Sequence, residues 1–232
     1  MELIKTQNSN WIYSKFFTGN FRYFMIPFIG LMIAGAISLL LLKKGDIVLA
    51  VNNASELRFD HFFLFVTRLG LGGTIAIVAV LFALYKFRWS VLILIDLILT
   101  GIFTNLFKEV FFHLSVRPLD YFLYDDFHRF LYDVPLSYYN TFPSGHTTAI
   151  FGFCSLLALL LNRKYTGIAL FFLACLVGFS RIYLLQHFFI DTYFGALMGI
   201  ISTILTFRID ERLKLARKRF ADKNLIHLIK AI

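Results

Sequence analysis

The chain is poor in the residues with which soluble domains face water. Only 16% of its 232 residues are charged, against about 25% in an average soluble domain, while 59% are hydrophobic. It has four prolines and no run rich in serine, glutamine or glycine, which excludes a disordered or low-complexity chain. It also lacks a polar linker, so we expect one membrane domain over residues 1–232.

Cysteine is nearly absent as well. Cys154 and Cys175 both fall in apolar segments, and two cysteines provide neither a disulfide framework nor a zinc site. Other candidate ligands lack the spacing of a zinc or calcium site, namely His113, His128, Asp125 and Asp126. We therefore expect no metal and no cofactor.

Long apolar runs dominate what is present. A bilayer core of about 30 Å needs about 20 apolar residues per helix, and lipid-exposed backbone must pair within its own helix. Suitable runs lie at about 23–42, 62–85, 89–107, 147–161, 165–180 and 188–207. The sequence therefore predicts an all-α polytopic membrane protein, a bundle of six transmembrane helices.

Basic residues are distributed unevenly along the chain. With the N-terminus inside, 15 of the 23 Lys and Arg residues lie in inner segments or the basic tail at 208–232, and 7 lie in outer loops. This bias predicts that both termini are cytoplasmic. It accounts for the net charge of +9 without a nucleic-acid partner.

Polar motifs lie at the predicted outer ends of the spans. They are Lys108 through Arg117, then Pro143-Ser144-Gly145-His146, then Ser180-Arg181 followed by His187 and Asp191. Six spans with both ends inside place all of them on one side of the membrane.

The motifs contain the parts of an anion site. Lys108, Arg117 and Arg181 are fixed cations, and arginine can hold a phosphate with two hydrogen bonds. Ser144 is expected to cap the fourth span, whose free N–H groups attract an anion. Gly145 allows the backbone to approach the ligand closely.

The motifs also contain nucleophile chemistry. His187 and Asp191 are four residues apart, so we expect them to share a helix face. Asp191 would then take the proton of one ring nitrogen and leave the other as a nucleophile, with His146 as general acid. Together with the cations, these residues predict a phosphoryl-transfer site.

The PSGH motif and the SR-x5-H-x3-D pattern resemble the signature of the type 2 phosphatidic acid phosphatase (PAP2) superfamily. The resemblance covers about residues 60–205, and the second and third motifs agree at every fixed position. The first motif departs, because Lys108 and Arg117 are separated by eight residues where the family usually has six. We expect the helix to end soon after Lys108 and a longer loop to return Arg117 to the site.

The resemblance implies a metal-independent lipid phosphatase. His187 would form a phosphohistidine, Asp191 would orient it, and His146 would protonate the leaving alcohol and then activate water. The phosphate would be held by five residues, namely Lys108, Arg117, Ser144, Gly145 and Arg181. The implied substrate is a lipid phosphate reached from the membrane: undecaprenyl diphosphate, lipid A phosphate, phosphatidylglycerol phosphate or phosphatidic acid.

Other functions stay open at this point. The chain could pass phosphate from one lipid to another, or could bind or transport a lipid phosphate without catalysis. A vanadium haloperoxidase is disfavoured because such enzymes have soluble compositions. We expect a bacterial inner-membrane protein with its site facing the periplasm or exterior.

Overall fold

The structure is a computed structural model that describes residues 19–122, 126–130 and 138–215. Its helices are α1 Arg22–Leu41, α2 Asp46–Asn53, α3 Asp60–Arg68, α4 Gly72–Ala83, α5 Phe87–Leu106, α6 Pro118–Tyr121, α7 Gly145–Leu161, α8 Lys164–Tyr183 and α9 Phe189–Leu213. A short 3-10 helix, Leu57–Phe59, precedes α3, and a π turn, Phe107–Phe111, continues α5. The described part contains no strand, which confirms the all-α prediction.

Within the described residues, four helices are long and apolar enough to cross a membrane, namely α1, α5 with its π turn, α8 and α9. The bent pair of α3 and α4 raises the number to five if it forms one span. The remaining predicted span is α7, an apolar helix of 17 residues. The protein is therefore an integral membrane bundle, and the count of six spans stays a prediction.

The second predicted span, 62–85, is broken in two. The chain bends by 56° between α3 and α4, so the prediction of one continuous helix was wrong. A Cβ at Gly70 would lie 3.0 Å from the His146 carbonyl oxygen and 2.8 Å from a Val177 methyl group. The bend between α3 and α4, called the elbow below, packs against the start of α7 and against α8, so a side chain at Gly70 would collide with them.

Helix α7 forms the centre of the bundle. It contacts α5, α8 and α9, and most of its side chains are buried. A Cβ at Gly199 of α9 would lie 2.7 Å from both the Gly152 nitrogen and the Thr148 carbonyl oxygen. Helices that gain no hydrophobic drive in lipid associate by such close approach of small residues.

Asp96 joins α5 to α9 in the interior. One of its carboxylate oxygens accepts hydrogen bonds from Ser202 at 2.8 Å and from Thr206 at 3.2 Å. The carboxyl group is buried, and its hydrogen bonds satisfy it inside the bundle. Asp96 thus pairs with neighbouring hydroxyl groups, as expected for a polar group within a span.

The segment 126–130 is attached to the bundle through Phe127, which packs in a buried cluster, through the His128 N–H, which donates to Asn52, and through Arg129. Arg129 forms an ion pair with Asp60 of α3 and donates to the hydroxyl groups of Ser55 and Tyr183, both at 2.8 Å. The amide of Asn52 donates to the Arg129 carbonyl at 2.8 Å. These contacts join α2, α3 and the end of α8 beneath the same segment.

The last helix is longer than predicted. Helix α9 continues to Leu213, so the first residues of the predicted tail extend the helix beyond the apolar run. Residues 216–232, the rest of that tail, lie outside the described residues.

The contact between α7 and α9 should be sensitive to a single methyl group. We expect Gly199→Ala to destabilise the protein by about 1–3 kcal/mol, because the neighbouring atoms are backbone and cannot move aside cheaply. The measurement is thermal unfolding in detergent. The matched control is Gly30→Ala in α1, where no atom lies within 4 Å of the added Cβ. Equal effects of the two substitutions would contradict the close packing.

Candidate active site

The predicted site residues meet at one end of the bundle. The backbone N–H of Ser144 donates to the Asp191 carbonyl at 3.1 Å, which joins the start of α7 to the start of α9. The N–H groups of Gln186 and His187 both donate to the Arg181 carbonyl, which folds the turn after α8 back on its last residues. The second and third motifs therefore form one surface.

The first motif reaches this surface through a change of helix type. Helix α5 ends at Leu106, the π turn carries Lys108, and the helical backbone ends at Phe111. The following loop pairs with the segment before the second motif, since Arg117 N–H donates to Tyr138 O at 2.7 Å and Thr141 N–H donates to Ser115 O at 3.2 Å. The expectation that the helix ends soon after Lys108 and a loop returns Arg117 agrees with this geometry.

Arg117 is held against the turn that carries His187. Its Nη1 donates to the carbonyl oxygen and to the side-chain oxygen of Gln186, at 3.2 and 3.1 Å, and its Nε donates to Tyr139 O at 2.9 Å. Burial lowers the pKa of Arg117 from its ordinary value, while the charge of Asp191 opposes that effect. A bound anion would compensate the positive charge of this half-buried guanidinium group.

Arg181 has a buried hydrogen-bond donor that no described residue satisfies. The side chain is buried, and its Nη1 donates to the Thr67 hydroxyl of α3 at 2.7 Å. Its Nε is also buried, yet meets no hydrogen-bond partner within residues 19–122, 126–130 and 138–215. Because a buried charged donor without a partner is costly, a ligand oxygen at this position would stabilise the site.

His187 and Asp191 are arranged differently from the prediction. Helix α9 begins at Phe189, so His187 lies in the preceding turn and the two side chains do not share a helix face. The His187 Nδ1 lies 3.5 Å from the nearer Asp191 oxygen, longer than an ordinary hydrogen bond. That oxygen instead accepts a hydrogen bond from the Phe188 N–H at 2.8 Å. This bond satisfies one of the backbone N–H groups that have no partner within the helix at the start of α9.

Thr141 fills the gap between the two residues. Its hydroxyl donates to the same Asp191 oxygen and lies 3.3 Å from His187 Nδ1. The imidazole thus presents Nδ1 to Thr141 and Asp191, and its Nε2 faces away from them. This arrangement leaves Nε2 available for chemistry.

The charge around His187 favours its neutral form. Burial lowers the pKa of His187 well below the ordinary value, and the nearby cations Arg181, Arg117 and Lys108 lower it further. A neutral imidazole at neutral pH is the form that can act as a nucleophile.

The start of α7 provides the backbone side of the site. Ser144 occupies the N-cap position as expected, but its side chain makes no capping hydrogen bond and accepts one from the Thr147 hydroxyl at 2.9 Å. A Cβ on Gly145 would lie 3.2 Å from the Thr104 methyl group, tighter than an ordinary contact. His146 lies within electrostatic range of His187 and of all three cations.

Two openings lead away from the site. A cavity of about 650 Å³ lies between α1, α2 and α9, has mainly apolar and aromatic walls, and reaches Thr141 and Asp191. A smaller crevice of about 190 Å³ lies at the elbow between α3 and α4 and along α5, and its wall includes Gly145 and His146. The two openings therefore approach the pair of histidines from different sides.

Sequence reasoning missed Thr141, Gln186 and Thr67. Each contacts a predicted site residue that is at least 46 positions away in the chain. Thr141 lies two residues before Pro143, and Gln186 directly precedes His187; that position is the only sequence signal they carry. No spacing rule could have identified their partners.

Comparisons with known proteins agree with this architecture. A family model described as the PAP2 superfamily matches residues 89–214. LpxE of Aquifex aeolicus superposes with a TM-score of 0.59 at 25% identity, over 71% of this chain and 94% of its own. A transmembrane PAP2-type phosphatidylglycerolphosphate phosphatase from Bacillus subtilis gives a TM-score of 0.56 over 83% of this chain and 96% of its own; at 22% identity this likeness shows the fold alone.

A sequence relative is also found among characterised proteins. The bacitracin transport permease protein BcrC of Bacillus licheniformis is 40% identical over 68 residues. The aligned stretch is 29% of this chain and spans only 32% of that protein's length.

The unpaired Arg181 Nε predicts an anion-binding site that can be tested without an assay of activity. We expect inorganic phosphate to raise the unfolding temperature of the protein in detergent, since a ligand that binds only the folded state stabilises it. Arg181→Gln should weaken phosphate binding about tenfold or more, the equivalent of one charge-assisted hydrogen bond. Lys164→Gln, an exposed cation at the other end of α8, is the control. Equal phosphate shifts in the two variants would exclude Arg181 from the site.

Proposed function

Because the chain belongs to the PAP2 superfamily, we propose that it hydrolyses a lipid phosphate at the membrane boundary through a phosphohistidine on His187. The observation that carries this proposal is the meeting of a neutral, buried imidazole with three cations, one of which has an unpaired buried donor. A site that only bound phosphate would need the cations but no nucleophile among them.

The first chemical step is the transfer of the phosphoryl group to histidine. The Nε2 lone pair of His187 attacks phosphorus, the N–P bond forms, and the bond from phosphorus to the lipid oxygen breaks. Lys108, Arg117 and Arg181 stabilise the charge on the equatorial oxygens, together with the backbone at Ser144 and Gly145. His146 is held neutral in the free protein by burial and by the same cations. It takes up a proton as the substrate phosphate offsets those cations, and gives it to the departing lipid oxygen.

The second step releases phosphate. A water molecule attacks the phosphorus of the phosphohistidine, and His146, now neutral, takes the proton from that water. The N–P bond breaks, its electrons return to His187, and inorganic phosphate leaves. Asp191 and Thr141 keep Nδ1 on their side throughout, so that Nε2 is the atom that gains and loses the phosphoryl group.

The geometry favours one direction for the departing lipid. In an in-line displacement the leaving group lies opposite the nucleophile, and Nε2 faces away from Asp191. The lipid oxygen is therefore expected on the side of His146, where the crevice along α5 opens. An apolar crevice at a cationic site suits a substrate with a phosphate head and a hydrocarbon chain.

Several lipids satisfy these requirements. They are phosphatidylglycerol phosphate, undecaprenyl diphosphate, lipid A phosphate and phosphatidic acid. All present a terminal phosphate on a membrane-embedded alcohol or diphosphate, which is what the cations and the crevice accept.

Phosphate release by the purified protein tests the reaction and ranks these substrates. We expect detergent-solubilised protein to release inorganic phosphate from at least one of the four lipids in the presence of EDTA. His187→Ala should reduce release by at least about 10⁴-fold, because it removes the Nε2 atom that attacks phosphorus. The folded state of the variant is checked by its unfolding temperature.

The outcomes of this assay separate the alternatives. Loss of activity in EDTA would overturn the metal-independent mechanism, and full activity in His187→Ala would overturn the nucleophile. Consumption of substrate with little free phosphate, dependent on a second lipid, would identify a phosphotransferase with the same first step. Acid-quenched protein should carry a labile phosphate on histidine in the hydrolase and the transferase alike.

The pH dependence reports the environment of His187. Its pKa is lowered in the folded protein, so the neutral nucleophile persists below pH 6.5 and is lost only as pH falls through the lowered value. We expect a bell-shaped profile of kcat/KM with its acid limb below pH 6.5. Lys108→Gln removes one of the cations that lower this pKa and should move the acid limb to higher pH.

A matched control tests whether the shift of the acid limb is specific to Lys108. Lys43→Gln removes an exposed cation that does not contribute to the shift of His187, and should leave the acid limb where it is. The substrate phosphate also ionises near pH 6, but it does so equally for each protein. An acid limb that does not move in Lys108→Gln would exclude Lys108 from the electrostatic environment of His187.

A further inference from the structure

A second basic cavity lies at the opposite end of the bundle from the active site. It has a volume of about 410 Å³ and is formed by the last turns of α9 and by one residue of α5. Its walls are Leu99, Ile204, Leu205, Arg208, Ile209 and Arg212. Arg208 lies 17 residues beyond Asp191, or about 26 Å along the helix axis, so the cavity lies near the other boundary of the bilayer core.

The two arginines of the cavity are placed to act together. Arg208 and Arg212 are four residues apart on one helix and therefore share a face. Arg208 is half-buried, and its Nε is fully buried without a hydrogen-bond partner among the described residues. Like the Nε of Arg181 in the active site, this donor needs an acceptor.

Two acidic residues lie between the arginines in the sequence; Glu211 is exposed, and the buried one, Asp210, is already engaged. The carboxylate of Asp210 forms an ion pair with Arg88 of α5, whose Nε donates to it at 3.2 Å. Asp210 is buried in that pair, so its charge is compensated by Arg88. Residues 216–232 add five further cations and one acidic residue to the chain beyond this end of α9.

The rest of the cavity is hydrocarbon. Four of the six described residues that line it are leucine or isoleucine. Two of these, Ile204 and Leu205, lie on α9 toward the middle of the membrane. A ligand that satisfies both parts must have an anionic group at the boundary and an aliphatic chain in the bilayer. Basic pockets between transmembrane helices are typical sites for the head groups of anionic lipids.

We propose that this cavity between α5 and α9 is a binding site for an anionic phospholipid, with the phosphate at Arg208 and Arg212 and one acyl chain along Leu99, Ile204 and Leu205. The site is separate from the one that hydrolyses lipid phosphates. Its lipid is a bound component of the membrane leaflet on the side opposite the active site, and it links α5 to α9 where Arg88 and Asp210 also join them.

Native mass spectrometry of delipidated protein tests the proposal, with phosphatidylglycerol and phosphatidylcholine of matched chains as probes. Wild-type protein should retain one phosphatidylglycerol about tenfold more tightly than phosphatidylcholine, because the choline cation of phosphatidylcholine offsets the phosphate charge that attracts the two arginines. The double variant Arg208→Gln/Arg212→Gln should lose this preference. Arg212→Gln alone should reduce it, and because Arg212 is exposed, that variant also guards against a loss caused by misfolding.

The control is Arg163→Gln/Lys164→Gln, which removes the same charge from exposed residues at the same end of the bundle. It should keep the full preference for phosphatidylglycerol. Equal affinity of the wild type for the two lipids, an unchanged preference in the double variant, or an equal loss in the control would each overturn the proposal. Phosphate release by the double variant should stay within about twofold of the wild type, which separates this site from the proposed activity.

Discussion

The carboxylate of Asp191 is the interaction on which the arrangement of the site depends. One of its oxygens accepts the Phe188 N–H and the Thr141 hydroxyl, and the same residue's carbonyl accepts the Ser144 N–H. A single residue therefore begins α9, positions the hydroxyl beside the imidazole, and attaches the start of α7. Because the group is buried, each of these hydrogen bonds forms in a medium of low dielectric, where an unmade bond would be costly.

The bundle places this residue through close helix contacts. Gly195 and Gly199 allow the backbone of α9 to contact the backbone of α7. This close approach brings the start of α7 into contact with Asp191. Arg181 reaches the same point from α8, and Thr67 of α3 holds its guanidinium. Helix α8, the π turn after α5 and the loop that carries Arg117 thus bring together cations that would repel one another, and an anion would compensate their charge.

A buried arginine donor without a partner among the described residues occurs near both ends of α9. The donors are the Nε of Arg181, near the start of α9, and that of Arg208, near its end. A crevice reaches His146 at the first end, and a cavity lined by Arg208 lies at the second. At the proposed active site the cations surround two histidines, whereas the described residues that line the other cavity include no histidine. The proposed catalytic site therefore differs from the proposed lipid site by the nucleophile and the proton donor beside its cations.

The sequence alone determined the class of protein, the all-α fold and the meeting of the three motifs, because apolar runs, basic residues and motif spacing are local properties of the chain. It located Lys108, Arg117, Arg181, His146 and His187 without specifying how they are held. Only the tertiary structure decided that the second span bends at Gly70, that His187 precedes α9 instead of lying on it, and that Thr141 stands between the imidazole and Asp191. Those features depend on contacts between residues 46 to 114 positions apart in the chain, and no local pattern encodes which distant neighbour fills a gap.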